Sequence, residues 1–387
     1  MSRSGPLRVM TVFGTRPDTI KMAPVVRALA AAGAAVEPLV CVTAQHRQML
    51  DDLLELFAIV PDYDLDIMRP DQTLTQITTR VLIGMEPVLA KAKPDVVLVH
   101  GDTSTSTAAA LAAFYRQIPV GHVEAGLRTA TRWEPFPEEM NRRLTGRIAS
   151  YHFAPTSRAR RNLERENVAP GDVFVTGNTV IDAFLGTAAR SYQGDPPAWE
   201  GLDPQRPLIF VTAHRRENHD KMPEICAALA EIAALPQRPQ ILWPVHPSPR
   251  VAPVAHAALD GVPGVVLTEP LGYDVTVRSV KRSTLVLTDS GGLQEEAPCL
   301  GKPVLVMRDE TERPEGIEAG TLELVGPHRG RIVEATRRLL SDEIAYARMA
   351  KANNPYGDGQ AAQRILGWLL ARLRDGRLPD EFSIRVA

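Results

Sequence analysis

STLVLTDSGGLQEEAP, Ser283 to Pro298, is the stretch on which the reading of this chain turns. Its first five residues, rich in leucine and β-branched side chains, have the composition of a buried parallel strand. Asp289-Ser290, the glycines Gly291 and Gly292 and a helix-compatible segment carrying Glu295 and Glu296 follow. A strand that breaks into small residues and re-enters as a helix presents free backbone N–H groups beyond the strand end. Those amides, with the positive end of the helix dipole, suit a phosphate or diphosphate. Glu296, one turn in, can accept hydrogen bonds from the vicinal hydroxyls of a sugar. An ordinary βα turn with a capped helix fits the same pattern, so the rest of the chain has to decide.

Around this stretch, strand-like runs alternate with helical ones. Leu208 to Val211, Gln240 to Pro244, Val265 to Leu267 and Pro303 to Met307 join Leu285 to Thr288 in one sheet. An earlier set comprises Leu7 to Phe13, Ala35 to Val42, Val96 to His100, Pro119 to Glu124, Tyr151 to Ala154 and Val173 to Thr176. A proline-rich surface loop, Asp195 to Pro207, separates the two sets. Alternation at this spacing predicts an α/β protein with two parallel sheets, each covered by helices on both faces. Ligands in such sheets bind at the carboxyl ends of the strands, so two facing sheets predict a site in the cleft between domains.

At 387 residues the chain suffices for two core-bearing domains. A net charge of -2 and a pI near 6.5 argue against a nucleic-acid or membrane-surface partner. Aromatics, at 5%, are too few for a single-strand stacking platform. Cys41, Cys226 and Cys299 are odd in number and in no metal-ligand spacing, and read as small residues in a reducing compartment. The opening MSRSGPLR has no apolar signal-peptide core, and no run approaches the ~20 apolar residues of a membrane span. These features predict a cytoplasmic location.

Chemistry-bearing residues recur just after the expected strand ends: Gly14-Thr15-Arg16, Asp102, Glu124, His214 with Arg215 and Arg216, His246, and Ser290-Gly291-Gly292. Each has a plain structural alternative. Asp102 reads as a helix N-cap, Glu124 and Glu138 as partners of Arg128 or Arg142, and the histidines as satisfied structural residues. Competing motifs fail: Gly14-Thr-Arg-Pro17 is not GxGxxG, and no GxxxxGK[ST], HExxH, Cys/His cluster or GxSxG is present. No metal site is therefore expected. Three carboxylates, a histidine, several arginines and a phosphate-type turn fit an activated sugar with a nucleotide leaving group. Cations and amides that stabilise a departing diphosphate give C1 oxocarbenium character and acidify the neighbouring C2–H, which a carboxylate can then remove. A carboxylate crowded by others has a raised pKa and can hold a proton for return.

Blocks of sequence carry a specific resemblance along nearly the whole chain: FGTRPDTIKMAP (Phe13 to Pro24), TAQHRQML (Thr43 to Leu50), HGDTSTS (His100 to Ser106), GHVEAGLRT (Gly121 to Thr129), PFPEEMNR (Pro135 to Arg142), VTGNTVIDA (Val175 to Ala183), TAHRREN (Thr212 to Asn218), PVHPSP (Pro244 to Pro249), TDSGGLQEEAP and RDETERPEGIEAGT (Arg308 to Thr321). In this order they resemble the bacterial non-hydrolysing UDP-N-acetylglucosamine 2-epimerases. The resemblance implies two Rossmann-like domains of the glycosyltransferase-B type, residues 1–176 and 177–360, with residues 361–387 returning to the first domain. It implies reversible conversion of UDP-GlcNAc to UDP-ManNAc through elimination of UDP to a glycal and re-addition, in a homodimer needing no cofactor. It further implies that Asp102, Glu124 and Glu138 are the acid/base carboxylates and that His214 assists the diphosphate. Arg16, Ser290, Gly291, Gly292 and Arg313 would bind the phosphates and substrate, and Glu296 the ribose. Gln45, Gln48, Arg215 and His246 match a second, activating nucleotide-sugar site.

Three positions depart from the family pattern. Asp18 stands for a Glu. Asp71 stands where relatives carry an Arg facing the second nucleotide sugar, which predicts a weakened second site. Val275-Thr276 replaces an Asp-Phe pair near the uracil, which predicts altered base recognition. A hydrolysing epimerase releasing ManNAc and UDP, a glycosyltransferase of the same fold and a non-catalytic nucleotide-sugar sensor remain open at this stage. The carboxylate trio weighs against the glycosyltransferase, which needs no base for C2–H.

Overall fold

The computed structural model describes residues 5–45, 47–374 and 376–384; the opening MSRS and the last three residues of the expected tail lie outside the described residues. The chain divides into two compact units, Met1–Ala183 with Gly357–Ser383, and Phe184–Tyr356 with Ile384–Ala387.

Seven parallel strands form the sheet of the first unit: β1 (Leu7–Phe13), β2 (Val36–Val42), β3 (Tyr63–Asp64), β4 (Val96–His100), β5 (Val120–Val123), β6 (Tyr151–Ala154) and β7 (Val173–Val175). Their order is β3-β2-β1-β4-β5-β6-β7. The direction of winding reverses between β1 and β4, which opens a crevice at the carboxyl ends of those strands. Met10, Val12, Val97 and Val99 pack with Val81, Met85 and Leu89 of the helix Leu74–Ala92 and with Ala108, Ala109, Ala112 and Ala113 of the helix Ser104–Tyr115. Alanines on that last helix let it lie close to both sheet and neighbouring helix.

Local chemistry sets the helix starts. Thr73 accepts from the Gln76 amide (3.2 Å) and donates its own amide to Gln76 Oε1 (2.9 Å), a reciprocal cap. Pro17 sits in the first turn of the helix Arg16–Ala31, where a missing N–H costs nothing. The late helix Ala361–Leu373 also belongs to this unit; Trp368 packs against Tyr151 and Phe153 at ring-centroid distances of 4.9 and 5.3 Å. Asp182 accepts its leading amides, Ala361 N at 3.2 Å and Ala362 N at 2.8 Å.

The second unit repeats the arrangement with β8 (Leu208–Thr212), β9 (Gln240–Pro244), β10 (Val265–Thr268), β11 (Leu285–Thr288), β12 (Val304–Val306) and β13 (Leu322–Leu324). All are parallel, in the order β10-β9-β8-β11-β12-β13, so the winding reverses between β8 and β11. Ile209, Val211, Trp243, Leu285 and Leu287 form its core with Ile225 and Leu229 of the helix Met222–Ala233 and Ile332 and Leu339 of the helix Arg329–Ser341. The expected α/β class with two parallel, Rossmann-like sheets is what the chain forms. The short strands β3 and β13 and the helices Ala252–Leu259 and Tyr273–Arg282 were not legible beforehand. Among the described residues no helix is long and apolar enough to cross a membrane. All three cysteines are free thiols; Cys41 and Cys226 are buried, while Cys299 is only partly so.

Candidate active site

In the first unit the expected residues gather beyond β1, β4 and β5. Glu124 follows β5 in a left-handed backbone conformation, φ 63°, uncommon for a residue with a long side chain and a kind of strain that clusters at functional sites. It is 8% exposed. Its Oε2 pairs with the Lys21 ammonium and accepts from Asn178 Nδ2 at 2.9 Å; His100 Nε2 stands 3.7 Å away, beyond hydrogen-bond range. Burial pushes the Glu124 carboxyl up, but Lys21 and His100 outweigh it and hold it well below the usual range. Glu124 Oε1 faces Gly101, 3.6 Å from where a Cβ would stand on that residue, so the carboxylate lies beside the turn carrying Asp102.

Asp102 is not the helix cap expected of it. Thr103 caps the helix Ser104–Tyr115 by accepting from the Ser106 amide at 3.1 Å, and the Asp102 carboxylate instead receives Arg142 Nη1 at 2.5 Å. Asn141 Nδ2 donates to the Asp102 carbonyl at 2.9 Å. Both come from the helix Glu138–Ile148, whose first residue is Glu138. Glu138 Oε2 is buried and makes no hydrogen bond among the described residues, leaving an open acceptor one turn ahead of Arg142. The arginine partnerships expected for Glu124 and Glu138 are not formed: Arg128 pairs bidentately with Glu166 (2.7 and 2.8 Å) and Arg142 with Asp102 and Glu139.

Two contributors went unrecognised in the sequence. One is Lys21, a turn into the first helix. The other is Glu139, fully buried, which accepts Arg142 Nε (3.2 Å), Arg143 Nε (2.8 Å) and the Thr129 amide (3.1 Å) and so fixes the arginine that holds Asp102. The acidic pair of PFPEEMNR, followed by two arginines at helical spacing, was the available signal.

Asp18 is buried and ties down the loop after β1, accepting from Gly14 N (3.2 Å), Thr15 N (2.7 Å) and Thr15 Oγ1 (2.8 Å). Its shorter side chain thus serves as a capping anchor. Next to it Arg16 is exposed and makes no ion pair among the described residues. Gln45 accepts from Thr105 Oγ1 at 3.0 Å, whereas Gln48 is exposed. Asp71 is exposed in a left-handed conformation, φ 49°. Gln45 and Gln48 belong to the first unit, Arg215 and His246 to the second.

In the second unit the opening stretch forms β11, a turn and the helix Gly291–Glu296. Among the described residues no side chain caps that helix, so its leading amides are open, as an anion site requires. Arg215 and Arg313 carry Nη2 atoms 3.5 and 3.9 Å from where a Gly291 Cβ would stand, placing two guanidinium groups over the turn. Arg313 is oriented by an ion pair with the buried Glu295. Glu296 is half-buried beside Gly292.

Asp289 binds the loop after β8: its Oδ2 accepts His214 N (2.9 Å), Arg215 N (2.8 Å) and Asn218 Nδ2 (3.1 Å). His214 stacks on His246, centroids 5.6 Å apart and planes 19° from parallel. Burial lowers the His214 pKa; Asp289 opposes the shift, and His246, Arg215 and His219 add to it. Val275 and Thr276 lie on the helix Tyr273–Arg282, where the Thr276 hydroxyl bonds back to the Gly272 carbonyl at 2.9 Å. Among the described residues no group of three or more His, Cys, Asp or Glu side chains could hold a metal ion. The first unit thus carries the carboxylates of Asp102, Glu124 and Glu138, and the second an uncapped helix start under two guanidinium groups, with His214 on the loop after β8.

Comparison with known proteins agrees with this chemistry. A family profile described as UDP-N-acetylglucosamine 2-epimerase matches residues 28–370. The UDP-N-acetylglucosamine 2-epimerase of Escherichia coli strain K12 is 56% identical over 367 residues, covering 93% of this chain and 97% of that protein. A crystal structure of a putative UDP-N-acetylglucosamine 2-epimerase from Listeria monocytogenes superposes with a TM-score of 0.93 at 48% identity, covering 98% of this chain and 100% of that one. The UDP-GlcNAc 2-epimerase of Neisseria meningitidis bound to UDP-GlcNAc superposes with a TM-score of 0.83 at 45% identity, covering 94% and 100% of the two chains.

Proposed function

The chain belongs to the UDP-N-acetylglucosamine 2-epimerase family, and from that membership together with the chemistry of the two units we propose that it interconverts UDP-GlcNAc and UDP-ManNAc without net hydrolysis. The C1–O bond breaks with its electron pair going to UDP, the C2–H proton passes to a carboxylate, and a C1=C2 double bond forms in a glycal. UDP then adds back to C1 while a proton returns to C2 from the opposite face, which inverts that centre.

Asp102, Glu124 and Glu138 carry the proton in this scheme. The leading amides at Ser290-Gly291-Gly292, with Arg313, Arg16 and His214, hold the diphosphate as it departs and returns, and Glu296 holds the ribose. The single observation that supports the reading best is Glu124: a buried carboxylate, kept ionised by Lys21, beside the Asp102 turn at the sheet edge where ligands bind. C2–H is far too weak an acid in the ground state. Loss of the diphosphate acidifies it, and a positioned base then contributes roughly 10²–10⁴-fold.

The proton-handling carboxylates are assigned to the first unit, and the diphosphate turn with His214 to the second. The protein acts as a cytoplasmic homodimer without a redox cofactor. Gln45, Gln48, Arg215 and His246 are assigned to the binding of a second, activating nucleotide sugar, which Asp71, an anion in place of a cation, weakens. Val275-Thr276 alters the hold on the uracil.

Substrate carrying ¹⁸O in the C1–O–P bridge tests the bond that breaks. Migration of the label into non-bridging positions of the β-phosphate is the expected result, because free UDP rotates its phosphate before re-adding. A label that stays in the bridge through full epimerisation refutes elimination. Accumulation of UDP and ManNAc without UDP-ManNAc assigns the hydrolysing reaction instead.

A further inference from the structure

Asp289 has a carboxylate oxygen that the loop does not use. While Oδ2 satisfies three donors from His214, Arg215 and Asn218, Oδ1 is fully buried and has no hydrogen-bond partner among the described residues. A buried acceptor without a donor is rare and costly to leave unmade. The donor within reach is His214, whose Nδ1 stands 3.6 Å from Oδ1, a few tenths of an ångström outside hydrogen-bond range. Backbone register keeps the two together: Thr212 and Thr288 are partners on neighbouring parallel strands, and each residue lies just past its strand end.

We propose that Asp289 is a positioning residue for His214: its Oδ1 accepts the Nδ1–H when a diphosphate engages the loop, holding the ring as an imidazolium with Nε2–H turned to the leaving group. The inference rests on the role given above to His214. Its physical logic is that of any carboxylate–histidine pair, in which the hydrogen bond at one ring nitrogen decides what the other can do. Among the described groups acting on the ring, His246, Arg215 and His219 disfavour its charge, while Asp289 supports it. A bound diphosphate adds a second anion on the far side of the ring. Between two anions the imidazolium is favoured, and a charge-assisted bond to the departing phosphate is about twice as strong as a neutral one.

Asp289→Asn isolates this function. The amide oxygen can still serve the three donors now bound to Oδ2, while the NH₂ group takes the place of Oδ1 and donates to His214 Nδ1. That fixes the neutral tautomer with Nε2–H, which keeps a donor but loses the charge. Asn218→Ala is the counterpart: it removes one donor to Oδ2 and leaves Oδ1 alone. The test is an NMR titration of ring ¹⁵N in the full-length protein, free and saturated with UDP, with His214 assigned by loss of its signal in His214→Gln, together with kcat and KM.

In the wild type, UDP is expected to raise the His214 pKa and leave Nδ1 protonated. In Asp289→Asn the ring is expected to remain neutral with UDP bound, and kcat to fall roughly tenfold with a smaller change in KM. Asn218→Ala is expected to lower stability while the UDP-dependent shift of His214 persists. An Nδ1 that carries no proton in UDP-bound wild type overturns the proposal, whether or not Asp289→Asn folds. So does an Asp289→Asn protein whose His214 titrates as the wild type does. Because UDP binding is the readout, a failure of epimerisation leaves this test standing, and failure of the titration leaves the assigned reaction untouched.

Discussion

Replacing Lys21 by Met probes the interaction that keeps Glu124 ionised. The substitution preserves most of the stem that packs beside Glu124 and deletes the ammonium paired with Oε2. Among the described residues, Asn178 Nδ2, at 2.9 Å, and His100, at 3.7 Å, then remain as polar neighbours of a carboxylate that is 8% exposed. Removing one member of a buried pair costs about 3–5 kcal/mol, because the other is left charged and unsolvated. For a domain of this size that corresponds to roughly 2–4 °C of melting temperature per kcal/mol.

The sign of the pH dependence follows from the shift. In the wild type the folded-state pKa of Glu124 lies below its unfolded value, so its stabilisation is full above the unfolded value and disappears as pH falls through the folded one. Without Lys21 burial dominates and the folded pKa rises above the unfolded value. The variant is then penalised at neutral pH and recovers as acid protonates Glu124. Thermal unfolding of both proteins between pH 5 and 8 is the assay: the gap in melting temperature should be widest at pH 8 and narrow towards pH 5. A gap independent of pH refutes the assignment of the low pKa to Lys21. In the same variant the acid limb of kcat/KM should move to higher pH if Glu124 is a base.

Three further outcomes are expected. Glu139→Gln leaves the Arg142 and Arg143 guanidinium groups without their buried counter-charge and loosens the arginine on Asp102; denaturant unfolding should show a loss of about 3–5 kcal/mol, with kcat reduced, and unchanged values of both would remove Glu139 from the site. Gly14→Ala would put a Cβ 1.8 Å from Thr43 Oγ1, so the loop after β1 must shift at a cost of roughly 1–3 kcal/mol, and an unaltered melting temperature would contradict that contact. Burial holds His122 at about 3 and His152 at about 4, below the usual histidine value of 6.5, so the unfolded chain binds more protons in acid and stability drains away as pH falls below about 6.5. While both differ, the slope reaches about 2.7 kcal/mol per pH unit; replacing both histidines by Phe should flatten it, as urea titrations at pH 4.5 to 7 would show.

The sequence displayed whatever depended on neighbours along the chain. Five of the strands, Leu7–Phe13, Val96–His100, Tyr151–Ala154, Gln240–Pro244 and Leu285–Thr288, were legible to the residue because they are buried runs bounded by turn chemistry. Tyr63–Asp64 and Leu322–Leu324 are too short for any periodicity, and Tyr273–Arg282 hides its helix behind the β-branched run Val275, Thr276 and Val277. The strand-end rule drew the candidate residues together, since it needs only local position. What each carboxylate touches was not visible. Lys21 is 103 residues from Glu124, Arg142 is 40 from Asp102, and Asn218 is 71 from Asp289, so these partnerships exist only once the strands are laid in order. The local alternatives, Asp102 as a cap and Arg128 as the partner of Glu124 or Glu138, also failed. Thr103 was the better-placed cap, and Glu166 met Arg128 across the fold.

Solvent isotope incorporation tests most directly whether carboxylates remove and return the C2 proton. Purified protein incubated with UDP-GlcNAc in D₂O, followed by proton NMR of the C2 position, is the measurement. Deuterium at C2 of both UDP-GlcNAc and UDP-ManNAc at equilibrium, with no stoichiometric release of UDP, is the expected result. UDP-ManNAc formed with protium retained at C2 contradicts it.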